Sequence, residues 1–128
     1  MNDTPTPARM LAAVAAFLRD DVLPALQGAT AYQARVAANM LDIARRQLEL
    51  APAHEAEELS RLRALLAADG GLAALNRLLC ERIAAGTLTL STPGLADHLW
   101  RTTLAKLAVD QPGYDTYRRL QSAAHEET

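Results

Sequence analysis

Alanine and leucine fill 27 and 22 of the 128 positions, and apolar residues recur three and four apart along most of the chain. That spacing builds an apolar stripe along a helix and cannot line one face of a strand. The one alternating stretch, residues 87–93 (Thr-Leu-Thr-Leu-Ser-Thr-Pro), has no second run to pair with. It is read as an extended loop, since an isolated strand is not stable in water. Aromatic residues make up only 4%, so the core must be packed by Leu, Ala, Val and Ile. Side chains that small let helices approach closely. The length is ordinary for one domain and short for two. The expectation is therefore all-α: a single-domain helical bundle of five to six helices over residues 1–128, with short connections and frayed tails at 1–6 and 122–128.

Proline and glycine punctuate the pattern. Thr6-Pro7 suits a helix start, because the proline nitrogen has no hydrogen to leave unpaired there. Leu11, Val14, Phe17, Leu18 and Val22 then recur at amphipathic spacing, up to Pro24 and Gly28. A second helix is expected over 30–50, reset by Ala51-Pro52. A third begins with Glu55, Glu57 and Glu58, acids that the positive end of a helix dipole favours. It ends at Asp69-Gly70-Gly71. A fourth spans 72–85 and closes on Gly86. Ser91 or Thr92 before Pro93 starts a fifth, ending by Asp110, and 114–124 forms a short sixth. Inward faces assigned from this spacing place Leu11, Phe17, Leu18, Val36, Met40, Ile43, Leu62, Leu66, Leu75, Leu79, Ile83, Leu99, Leu104 and Leu107 in the core, with Cys80 buried beside the apolar stripe of the fourth helix.

The net charge of −2 is spread evenly, without the clustered positive charge that a phosphate backbone requires. Nucleic acid is not an expected partner. The apolar run 10–18 is half what a bilayer span needs, so no membrane is expected either. A single cysteine and the absence of a basic-then-apolar leader after Met1 point to the reducing cytoplasm.

Two polar features stand out. Arg35, Asn39, Asp42, Arg46 and Glu49 form one continuous stripe on the second helix. Its plain interpretation is a solvated face, where each acid–base pair contributes about 0.2–0.5 kcal/mol. Lys106, the only lysine, precedes Asp110 by one turn, in the less favourable order relative to the helix dipole. A carboxylate in the last turn of a helix calls for a compensating donor, and Arg35 with its planar fork suits that role. The candidate polar cluster is Arg35, Asn39, Lys106 and Asp110. Candidate interface residues are Met10, Val14 and Phe17 on the first helix, with His98 and Trp100, and a two-fold homodimer is one expected use of such a patch. His54, His98 and His125 lack a second ligand at metal spacing, and no metal or cofactor is expected. No phosphate loop, nucleophile elbow or cysteine pair occurs. The residues make little case for an enzyme acting alone.

Four segments carry a resemblance when taken in order: Leu23-Pro24-Ala25-Leu26-Gln27-Gly28; Tyr32 with Arg35-Val36-Ala37-Ala38-Asn39; Leu75-Asn76-Arg77-Leu78-Leu79-Cys80 with Ile83 and Gly86; and Lys106-Leu107-Ala108-Val109-Asp110-Gln111-Pro112 with Tyr114. Together they resemble a family of small, uncharacterised bacterial helical proteins encoded beside aminoglycoside-phosphotransferase-like kinases and acyl-CoA dehydrogenases. The resemblance implies an accessory subunit of a hydroxyacyl-CoA kinase in acid catabolism. The kinase would be its partner and the dehydrogenase a second candidate; no catalytic residue is implied. The alternative is a small-molecule or acyl-CoA binding helical module with its polar site around Arg35, Asn39, Lys106 and Asp110.

Overall fold

The computed structural model describes residues 4–126. Among them every regular element is a helix and none is a strand, so the fold is all-α. Five α-helices follow in order: α1 (Pro7–Phe17), α2 (Gly28–Leu66), α3 (Leu72–Ala84), α4 (Leu95–Asp110) and α5 (Asp115–Glu126). The chain forms two compact units, Met1–Ala51 and Pro52–Thr128.

In the first unit, α1 starts as its sequence suggests. Thr6 is the N-cap, its Oγ1 accepting a hydrogen bond from the Arg9 backbone N–H, and Pro7 occupies the first turn. The helix then widens into a π-helical turn, Leu18–Val22, and tightens into a 3₁₀ turn, Leu23–Ala25, around Pro24. Gly28, at φ +64, begins α2. The buried apolar residues of this unit are all alanines: Ala15, Ala31 and Ala38. Expected core residues Phe17, Val36 and Met40 are instead 55%, 38% and 64% exposed. Helix packing against small residues explains the difference. The face that lets backbones approach most closely goes inside, and Ala31 and Ala38 lie seven residues apart on one such face.

The expected reset at Ala51-Pro52 is also corrected, because α2 runs through Pro52 without ending. Proline in a helix interior removes one backbone hydrogen bond and costs about 3 kcal/mol. Good helix formers on both sides (Gln47 to Ala51, Ala53 to Leu59) sustain the helix across it. The boundary between the two compact units falls at that proline.

The second unit holds the larger core. Leu62, Leu66, Leu75, Leu79, Leu88 and Leu95 are buried together, flanked by Leu59, Leu65, Ala68, Leu72 and Leu78. The leucines on α2 and α3 are each four apart, one turn of a single face. Where α2 ends, Ala67 takes the left-handed conformation (φ +47), and Arg82 Nη1 donates to the Leu66 carbonyl at 2.9 Å. A cation there satisfies a carbonyl at the negative end of the helix. Gly86, at φ +75, follows α3 in the position expected of it. Residues 87–94 form a turn-rich loop in which Thr92 Oγ1 accepts from the Thr89 backbone N–H. Helix α4 begins two or three residues later than Thr92 or Ser91 would have it, with Gly94 (φ +91) as its N-cap. Residues 122–126, in the stretch expected as a frayed tail, are the end of α5; of the other expected tail, 1–6, residues 1–3 lie outside the described residues, as do 127 and 128.

Candidate functional site

The most developed polar arrangement lies in the second unit and is built around Arg61. Its Nε donates to Nδ1 of His98 at 3.3 Å, and its Nη2 donates to Oγ1 of Thr102 at 3.4 Å. His98 and Thr102 are one turn apart on α4, so a single face presents both acceptors to α2. His98 is buried, at 2% exposure, which corrects its expected role as an interface residue. It lies one turn from Leu95 on the inward side of α4, whereas Trp100, two residues on, is 51% exposed. Because Nδ1 accepts a hydrogen bond, the imidazole is neutral with its proton on Nε2. Burial lowers its pKa below the ordinary histidine value, and the Arg61 guanidinium lowers it further, against opposing pulls from Glu58 and Asp97.

Two of the carboxylates near Arg61 are directed elsewhere. Glu58 Oε1 accepts from Asn76 Nδ2 at 3.1 Å, and both Asp97 oxygens accept from Arg101 Nε at 2.9 and 3.1 Å. Among the described residues no carboxylate lies within ion-pair distance of Arg61. A cleft of about 200 Å³ opens beside this guanidinium. Arg101, Leu104, Ala105 and Ala108 line it from α4, Tyr117 and Gln121 from α5, and His54, Glu57 and Arg61 from α2. The sequence signal for this site was a faint one: His98 and Thr102 at i, i+4, and an arginine inside a leucine stripe.

The candidate cluster Arg35, Asn39, Lys106 and Asp110 is divided between the units, and all four residues are exposed. In the first unit Asn39 is engaged by Arg19, whose Nη2 donates to its Oδ1 at 2.9 Å and pairs with Asp42 at 2.7 Å. Arg45 joins this network through Asp42 at 3.8 Å and pairs in turn with Glu49 at 3.0 Å. Asp110 at the end of α4 is open to water, so solvation meets the need that called for a buried donor. The interface candidates Met10, Val14 and Phe17 are exposed by 50%, 48% and 55%. They share one side of α1, and Tyr32, Val36 and Met40 form a second exposed apolar stripe on α2.

Cys80 is exposed rather than buried. The inward face of α3 is centred on Leu75 and Leu79, and one further residue turns the side chain about 100° away from it. No group of three or more metal-ligating side chains, and no helix long and apolar enough to cross a membrane, occurs among the described residues. Comparison with curated proteins and with solved structures gives no match. A family model does match, over residues 24–114, from the 3₁₀ turn through α2, α3 and α4 to the turn before α5. The chain thus belongs to the DUF6285 family, a domain of unknown function.

Proposed function

We propose that the protein is a noncatalytic accessory subunit that docks on an aminoglycoside-phosphotransferase-like kinase acting on a hydroxyacyl-CoA in acid catabolism. The docking rests on one observation. The first unit keeps alanines inside and leaves Met10, Val14, Phe17, Tyr32, Val36 and Met40 outside. An arrangement of that kind leaves large apolar side chains in water, where a partner surface would remove them. Methionine and aromatic residues are the types enriched in the buried centres of interfaces. The identity of the partner rests on the resemblance carried by the ordered segments between Leu23 and Tyr114. A neighbouring acyl-CoA dehydrogenase would act on the phosphorylated product, and the shared compartment is the cytoplasm. Co-expression with the kinase encoded beside it is the direct test. The two chains are expected to elute together, and the kinase to lose activity on hydroxyacyl-CoA when this subunit is left out. A kinase that elutes alone and works fully alone would overturn the reading. A homodimer formed through the same stripes would compete with the kinase, and the same elution profile would reveal it.

A further inference from the structure

We propose that the cleft beside Arg61 in the second unit binds a small oxyanion, a carboxylate or phosphate group, on the Arg61 guanidinium. This proposal is independent of the docking reading and uses a different part of the chain.

Three features of the cleft support it. First, Arg61 is held in place but not neutralised. Its two hydrogen bonds go to uncharged acceptors, His98 Nδ1 and Thr102 Oγ1, while Glu58 and Asp97 are bound to Asn76 and Arg101. A half-buried guanidinium normally meets a carboxylate, since taking a charge out of water needs compensation. Second, it has donors to spare. Arginine carries five N–H groups, and two are used here. Arg61 lines the cleft, so the donors that its two hydrogen bonds leave over are available to a group bound there. The remaining edge can meet two oxygens of one group side by side. Third, the space is the right size and character. About 200 Å³ is smaller than the usual pocket for a whole cofactor, and suits an anionic group with a short chain. Leu104, Ala105 and Ala108 would receive the apolar end of that chain, and Tyr117 and Gln121 add neutral donors to its lining.

Glu57 is the internal competitor. It lines the same cleft one turn before Arg61, without reaching ion-pair distance, and its charge opposes that of an incoming anion. This makes the proposal separable from a general loss of structure, because removing Glu57 should strengthen binding rather than weaken it.

The experiment is a titration of the full chain with sodium acetate and, separately, with inorganic phosphate at constant pH and ionic strength. The nuclear magnetic resonance signal of the Arg61 Nε–H is followed together with backbone amides of residues 57, 61 and 117. A saturable shift confined to these signals is expected. Glu57→Gln should tighten it severalfold, and Arg61→Lys, which keeps the charge but loses the fork, should weaken it on the order of tenfold. Saturation by acetate alone assigns a carboxylate, and by phosphate alone a phosphate ester; either supports the site. Shifts that never saturate, shifts of equal size at the exposed Arg118 and Arg119, or an affinity unchanged by Glu57→Gln would overturn it. Should Arg61→Lys fail to fold, the Glu57→Gln comparison still decides.

Discussion

Leu62 and Ile83 make a paired test of how the second unit is packed. Helical spacing assigns both to the core, but Leu62 is 0% exposed within the leucine cluster whereas Ile83 is 41% exposed on α3. Replacing Leu62 by alanine removes fully covered methyl groups and leaves a cavity walled by Leu66, Leu75 and Leu79, at a cost of about 3–5 kcal/mol. For Ile83 the loss is smaller. Full burial of such a side chain is worth about 1.5–3 kcal/mol, and roughly three-fifths of that applies. Alanine's better helix propensity returns a few tenths of a kcal/mol at most, so the net cost of Ile83→Ala is about 1 kcal/mol. Both residues are in one unit, so urea unfolding followed by far-ultraviolet circular dichroism compares them against the same transition. A difference of about 2–4 kcal/mol is expected. Equal costs would mean that Ile83 is as covered as Leu62 and that the inward face of α3 is wrongly drawn.

Three further outcomes follow from single residues. His98 has a lowered pKa in the folded chain, so its contribution to stability is complete above the unfolded value of about 6.5 and is lost as pH falls toward the folded value. Between those limits stability should fall by at most about 1.4 kcal/mol per pH unit, and a His98→Asn variant should show a flatter profile in pH-dependent melts; identical profiles would refute the neutral imidazole. Cys80, being exposed, should react stoichiometrically with a thiol reagent in the native protein, and protection until unfolding would contradict its placement. Arg82→Ala should cost about 1 kcal/mol by uncapping the Leu66 carbonyl, with faster hydrogen exchange in the last turn of α2 as the local sign.

The parts legible from sequence were those governed by local chemistry. Thr6-Pro7 and Gly86 mark helix ends because capping and positive φ depend on the residue itself. The stripe Leu62, Leu66, Leu75 and Leu79 is legible because leucine at one-turn spacing has a single inward solution. The first unit was less legible for a physical reason: its buried line is alanine, which carries a weaker apolar signal than the Tyr32, Val36 and Met40 stripe that stays outside. Local propensity at Pro52 predicts a break, yet thirty-nine residues of continuous helix carry it. Arg61 is only faintly legible as a site, since its meaning comes from His98 and Thr102, thirty-seven and forty-one residues away.

The central claim is that the large apolar side chains left outside in the first unit are there for a partner. Calorimetric titration of the kinase proposed as its partner with the wild-type chain and with the double variant Phe17→Glu, Met40→Glu tests it most directly. Phe17 and Met40 are 55% and 64% exposed, so the double variant should keep its fold, as circular dichroism would verify. Burying two carboxylates at an apolar interface should weaken binding at least about tenfold, or about 1.4 kcal/mol, whereas Arg118→Glu on α5 should leave it unchanged. A folded double variant that binds the kinase as tightly as the wild type, or a wild type that gives no binding heat and does not co-elute, would contradict the claim.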